Sequence, residues 1–467
     1  MDWKALAQVA GLFFKLGTIS FGGPAAHIAL IEQEVVQKRG WLDRAHFLDL
    51  LAATNLVPGP NATEMAIHIG YVRVGWGGLF AAGMAFILPA FAISLALSWT
   101  YVRFGALPEG KAIFYGINPL VMAIILAATY RLGKTALHSK LQMLLGLLAF
   151  AAALLGVNEV IILLGAGVAG ILLYAAPGWL GKGSTLALTP PLIGLLFEGA
   201  HAAAWLEERL IQLGLFFLKV GSLIFGSGMV LFAFIQNDVV NRYGWLSQQQ
   251  LIDAIAVGQM TPGPVLSSAT FIGYLVAGWQ GAIVATMAVF LPSFVIVMLM
   301  GPVIPRLRRS PGAQAFLKGV NAAVVALILF VSLALFRAAI VDGWTAALLV
   351  AGLAALLRFK VDTFWLVLGG AVVGLARMGF EMLNSGPSSA AAGSWLPIRG
   401  LIMAAILLLV IIIGVLLQNR SKPRIGNEPG VRATTVEVCR WCGEDIDESW
   451  DICPRCGYDL SWLQRGK

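Results

Sequence analysis

The run Val57-Pro58-Gly59-Pro60 interrupts one apolar stretch, and Met260-Thr261-Pro262-Gly263-Pro264 interrupts another. Proline has no N–H to donate, clashes with the preceding helical turn and pushes the residue before it out of the α region. Each triplet therefore ends a helix, and its second proline, with φ already fixed, suits the first turn of a new one. At membrane depth such breaks are tolerated only where the backbone lines a cavity or is buried in protein. The same interruption twice in one chain points to two related halves, each with a broken or re-entrant segment.

The flanking residues repeat with it. Lys15, Gly17, Phe21 and Gly22 return as Lys219, Gly221, Phe225 and Gly226, and Gly40-Trp41-Leu42 returns as Gly244-Trp245-Leu246. Asp49 returns as Asp253. One residue is dropped after the second break. Gly70-Tyr71 then matches Gly273-Tyr274, Pro89 matches Pro292 and Asn118 matches Asn321. This register is the mark of a duplication.

Composition decides the environment. Of 467 residues, 59% are hydrophobic and 12% charged, against about 45–50% and about 25% in soluble domains. The excess lies in stretches near the roughly 20 residues that cross a bilayer. The expectation is an all-α polytopic membrane protein without a cleaved leader, since Met1-Asp2-Trp3-Lys4 is no basic n-region. The net charge of +8 sits in loops, where topology accounts for it, so it does not argue for nucleic acid.

Those charges also orient the halves. Arg131, Lys134 and Lys140 follow the fourth segment of the first half, whereas Arg306, Arg308, Arg309 and Lys318 precede its equivalent in the second. Keeping both loops cytoplasmic requires inverted repeats: roughly eleven spans plus two Pro-Gly-Pro hairpins, N-terminus outside and C-terminus inside. Full broken spans in place of hairpins are the alternative. The expected divisions are a first repeat (1–177), a connector (178–208), a second repeat (209–378), a loop with an extra helix (379–418), a linker (419–435) and a cysteine-bearing tail (436–467).

Paired breaks at corresponding places point to a substrate site. Helices starting near Pro60 and Pro264 present N–H groups with partial positive charge, which suits an anion. Asn55, Asn61, Thr63, Gln259, Thr261, Ser267 and Ser268 can add neutral donors, and Pro58, Gly59, Pro262 and Gly263 shape the backbone between them. Lys15 and Lys219 would supply fixed cations; snorkelling to an interface is the competing account. Gly22, Gly23 and Gly226 permit close approach of a ligand or of a neighbouring helix. Together these suit a small oxyanion. Glu64, four residues before His68, is either a proton carrier or the ion partner of Lys15. Glu32, Glu34 and Asp238 read as solvated charges near helix ends, and Asn118 and Asn321 as interhelical hydrogen-bonding residues.

The tail carries Cys439-x-x-Cys442-Gly and Cys453-x-x-Cys456-Gly, the spacing of a structural zinc ribbon in which four thiolates close a tetrahedral shell. No catalytic motif accompanies it, neither His-Glu-x-x-His nor Gly-x-Ser-x-Gly, so an enzyme is not expected.

Taken as a set, Phe21-Gly22-Gly23-Pro24, Gly40-Trp41-Leu42, Pro58-Gly59-Pro60 and their echoes resemble the chromate ion transporter family over about residues 5–415. Gly226-Ser227-Gly228 departs from the Gly-Gly-Pro of the first half, and the zinc-ribbon tail lies outside the shared core. The resemblance implies an inner-membrane, inverted-repeat exporter of chromate, with sulfate as an analogue, no cofactor for transport, and a homodimer left open beside a monomer. A carrier of another small anion (sulfate or a carboxylate) and a membrane scaffold or sensor using the ribbon are the competing readings.

Overall fold

The computed structural model describes residues 2–21, 24–55, 57–174, 205–225, 228–300, 310–359, 361–384, 437–438 and 445–446. The first half runs α1 (Trp3–Ile19), α2 (Pro24–Glu32), α3 (Arg44–Thr54), α4 (Asn61–Val74), α5 (Trp76–Phe104), α6 (Pro108–Ala136), α7 (Lys140–Leu154) and α8 (Glu159–Tyr174). The second runs α9 (Trp205–Leu223), α10 (Leu231–Phe234), α11 (Gln248–Met260), α12 (Ser268–Met300), α13 (Pro311–Ala339), α14 (Gly343–Leu357) and α15 (Thr363–Asn384). α2 continues as a π-helical stretch, Gln33–Lys38, and α10 as Ile235–Arg242.

Local chemistry sets these ends. The Asp43 carboxylate accepts from the His46 N–H at the start of α3. Capping boxes open α7 (Ser139 with Gln142), α11 (Ser247 with Gln250) and α14 (Asp342 with Thr345). Pro108 and Pro311 begin α6 and α13, where a missing N–H costs nothing. The offset that pairs Asn118 with Asn321 also pairs the first and last residues of α6 with those of α13, and those of α7 with those of α14. α12 kinks at Ala277–Gly278, so its two parts correspond to α4 and α5. The hinge glycines, Gly75 at φ 70° and Gly278 at φ 62°, occupy the left-handed region that other residues avoid. A side chain on Gly70, Gly78, Gly273 or Gly281 would strike facing backbone, which is how the two hinged helices lie so close.

Five segments among the described residues are long and apolar enough to cross a membrane: Trp76–Phe104, Pro108–Ala136, Val265–Leu299, Pro311–Ala339 and Thr363–Phe380. α7, α8 and α14 are shorter apolar helices. α5 packs on α1 and α4, and α12 on α9. The long helices α6 and α13 pack on each other at the centre. There the halves trade partners: α6 is covered by α14 and α15, and α13 by α7 and α8. The described part of the tail is a short antiparallel pair, β1 (Glu437–Val438) with β2 (Asp445–Ile446). Gly22, Gly23, Gly226, Cys439, Cys442, Cys453 and Cys456 lie outside the described residues. So do the apolar run near 401–417 and most of the connector.

Candidate functional site

Each Pro-Gly-Pro break is held by the other half. The Gly59 N–H donates to the Ile224 carbonyl at 2.7 Å, and the Gly263 N–H donates to the Ser20 carbonyl at 2.8 Å. Ser20 and Ile224 are repeat equivalents, each lying just past the end of its half's first helix, α1 or α9. The two bonds form a reciprocal clasp. Gly59 (φ 154°) and Gly263 (φ 92°) both have positive φ. A side chain on Gly59 would meet Glu64 and Ser293, and one on Gly263 would meet Ala90 and the Gly17 carbonyl. Ala90 and Ser293 are again equivalents, so the clasp follows the duplication down to its neighbours.

Around the clasp lie buried polar atoms with no hydrogen-bond partner. They are Ser20 Oγ, Thr63 Oγ1, both Glu64 carboxyl oxygens, His68 Nε2, Gln259 Nε2, Ser267 Oγ and Ser293 Oγ. Thr63 and Glu64 lie in the first turn of α4 and are fully buried. Thr261 is satisfied, its Oγ1 lying 3.2 Å from Ser94 Oγ across the halves. Asn61 Nδ2 donates to Asn55 Oδ1 at 2.5 Å, tying the two sides of the first break together. An unmade buried hydrogen bond costs about 1–3 kcal/mol. Within the described residues these unpartnered atoms gather near the two helix starts, with others at Asn118, Glu159, Gln236 and Asp238. Among the described residues, no three of His, Cys, Asp and Glu converge as a metal site.

The lysines are not bare cations. Lys15 Nζ lies 3.1 Å from Glu34 Oε1, and Lys219 Nζ lies 2.8 Å from Asp238 Oδ2. Glu34 and Asp238 therefore correct the expectation of solvated helix-end charges: their side chains are only 8% and 3% exposed. Each sits in a π-helical stretch that turns it inward against its lysine. Glu34 also takes Lys38 at 3.1 Å and Arg39 at 3.5 Å, whereas Asp238 has Lys219 alone as its ion partner among the described residues. With Glu34 as the partner of Lys15, Glu64 has no ion partner among the described residues. Asn118 does bond between helices, to Asp253 at 3.0 Å.

Sequence reasoning missed the depth of that last contact. Asp253 is 3% exposed and accepts also from Tyr101 Oη at 2.7 Å and Gln249 Nε2 at 3.1 Å. A cavity of about 410 Å³ beside it is lined by Tyr101, Lys111, Tyr115, Asn118, Gln249 and Thr345, among others. The signal was present, because Asp49/Asp253 and Asn118/Asn321 both recur. Nothing in the pattern told the two residues to meet.

No solved structure matches the chain. Curated proteins do. A chromate transport protein of Cupriavidus metallidurans is 38% identical over 376 residues, covering 79% of this chain and 92% of that protein. A probable chromate transport protein of Synechococcus elongatus is 36% identical over 69% of this chain and 83% of its own length. One from Pseudomonas aeruginosa is 34% identical over 69% and 79%. The Chromate transporter family profile matches twice, over residues 7–171 and 211–375, one match to each half described above. With its apolar spanning helices, this chain is a multi-pass membrane protein and belongs to the chromate transporter family.

Proposed function

We propose that the protein carries chromate across the inner membrane, outward, and accepts sulfate as an analogue. The observation that carries this reading is the reciprocal clasp of Gly59 and Gly263, ringed by buried polar atoms that lack partners. A tetrahedral oxyanion offers acceptor oxygens to the helix starts at Asn61 and after Pro264, and to Thr63, Ser267, Ser293 and Gln259. Helix N-termini favour such charge by their dipoles and unpaired N–H groups. Lys15 and Lys219 hold positive charge on the same first helices. Their pairing with Glu34 and Asp238 makes that charge available to the anion only in competition with a carboxylate. Glu64, buried beside Gly59, is assigned the coupling proton. Gly22, Gly23 and Gly226 are assigned to the site as residues whose lack of a side chain suits close approach of a ligand.

The halves are taken as inverted, with the cysteine tail cytoplasmic and folded around one structural zinc held by Cys439, Cys442, Cys453 and Cys456. The zinc takes no part in transport. Thermal unfolding of the purified protein tests the substrate class. Chromate and sulfate are expected to raise the melting temperature, chloride and short carboxylates to leave it unchanged; equal shifts from all anions overturn the reading. Topology has its own test in a cysteine-free background. Single cysteines replacing Lys134 and Arg308 are expected to be shielded from an impermeant thiol reagent in intact cells, while one replacing Arg242 labels. Labelling of Lys134 and Arg308 positions on opposite faces would show the repeats to be parallel.

A further inference from the structure

Equivalent segments of the two halves occupy different places. α11 is buried from Leu251 to Gln259 and packs against α6, α12, α13 and α15. Its equivalent α3 buries only Phe47, Ala53 and Thr54 and packs chiefly on α4. The preceding elements differ in the same sense: α10 lies against α13, whereas α2 lies against α1 and α4. The helix pair α10–α11 (the second-half hairpin) is docked into the centre where α6 and α13 pack together, and its equivalent α2–α3 (the first-half hairpin) is not.

The docked hairpin is held by a polar latch between the halves. Asp253 on α11 accepts from Asn118 on α6 and from Tyr101 on α5. The equivalents of this pair are Asp49, exposed on α3, and Asn321, half-buried on α13, and α3 packs chiefly on α4. The cavity of about 410 Å³ borders the closed latch, so packing does not seal it on that side.

We propose that Asp253–Asn118 is one of two alternative latches. In the other state Asp49 bonds to Asn321, the first-half hairpin α2–α3 having docked against α13 as α10–α11 withdraws. This deepens the transport reading and rests on it, since exchanging the conformations of two inverted repeats presents one midplane site to each side in turn. The latches are unequal. Tyr101 and Gln249, which add two bonds to Asp253, have Ile304 and Ala45 at the equivalent positions, neither of which can donate from its side chain. The state with α11 docked thus gives its aspartate two more side-chain donors, and it is the one observed. The two states remain close enough to exchange because each closes an aspartate–asparagine bond.

The test uses the full chain with its four native cysteines replaced by serine, in native membranes, and a short bifunctional thiol reagent. The pair Asp253→Cys with Asn118→Cys is expected to cross-link readily, and Asp49→Cys with Asn321→Cys detectably but more slowly. Cross-linking of either pair should stop transport. A yield for Asp49→Cys with Asn321→Cys no higher than for the control pair Asp49→Cys with Asn118→Cys overturns the proposal. A second readout leaves Asp49 in place: Ala52→Cys on α3, half-buried where its equivalent Ala256 is fully buried, should react several-fold more slowly with a water-soluble thiol reagent when Asp253→Ala removes the first latch, and an unchanged rate overturns the proposal equally. The cross-linking yields and thiol reaction rates use no anion. Cross-linking without chromate stabilisation would keep the latch and reject the substrate, and the reverse result would do the opposite.

Discussion

Protein in which Pro58, Gly59 and Pro60 are all replaced by alanine is expected to show no chromate-dependent thermal stabilisation, and its inside-out vesicles no uptake of labelled chromate. Three alanines favour one continuous helix through the break, which removes the helix N-terminus at the start of α4. They also withdraw the Gly59 N–H from the Ile224 carbonyl, whose partner it is at 2.7 Å. Leaving that buried carbonyl unpaired costs about 1–3 kcal/mol on its own. The same change at Pro262, Gly263 and Pro264 is expected to match it in binding, because it withdraws the Gly263 N–H from the Ser20 carbonyl, although that carbonyl keeps His27 as a second partner. Gly59→Ala alone is the milder lesion: it keeps both prolines but drives a methyl group into the Glu64 carboxylate. Binding and transport measured on the same monodisperse preparations decide the matter. Normal affinity in both triplets would reduce the breaks to packing kinks.

The second large effect separates two lysines that the sequence presents as twins. Lys219→Met is expected to lower stability by about 3–5 kcal/mol, the usual penalty for stranding one partner of a buried ion pair. Asp238 is 3% exposed, and Lys219 is its ion partner among the described residues. Lys15→Met should be far milder. Its side chain is 53% exposed, and Glu34 keeps Lys38 and Arg39. Adding Asp238→Asn to Lys219→Met removes the stranded charge, so the melting temperature should recover while chromate uptake does not. Equal destabilisation by the two single substitutions would show that the pairs are not distinguished in this way. Full uptake by the stable double variant would remove Lys219 from the site.

Much of the architecture could be read from the residues, and the reasons are local. Pro108 and Pro311 mark helix starts by chemistry that needs no tertiary context, and the capping residues Ser247 and Asp342 do the same. The breaks were legible because proline forbids the alternative. The clasp was not, since a bond from the Gly59 N–H to the Ile224 carbonyl involves backbone alone and leaves no signature in side-chain type. Glu34 and Asp238 misled for a related reason. A charge near a helix end looks solvated until a π-helical turn, invisible to periodicity, rotates it inward. The unequal positions of α3 and α11 were illegible in principle. Equivalent sequences predict equivalent packing, and here one pair of segments adopts two.

The trading of partners around α6 and α13 bears on how such a chain could have arisen and be assembled. A protein holding the first half alone would synthesise α7 and α8 with no α13 to cover, and would leave bare the face of α6 that α14 and α15 occupy. Neither half closes upon itself. A single-module ancestor would thus have been an obligate pair, each copy lending its last two helices to the other. Joining two such modules in one chain would fix their stoichiometry and free each to diverge, as Glu64 against Ser268, Ala45 against Gln249 and Ile304 against Tyr101 illustrate.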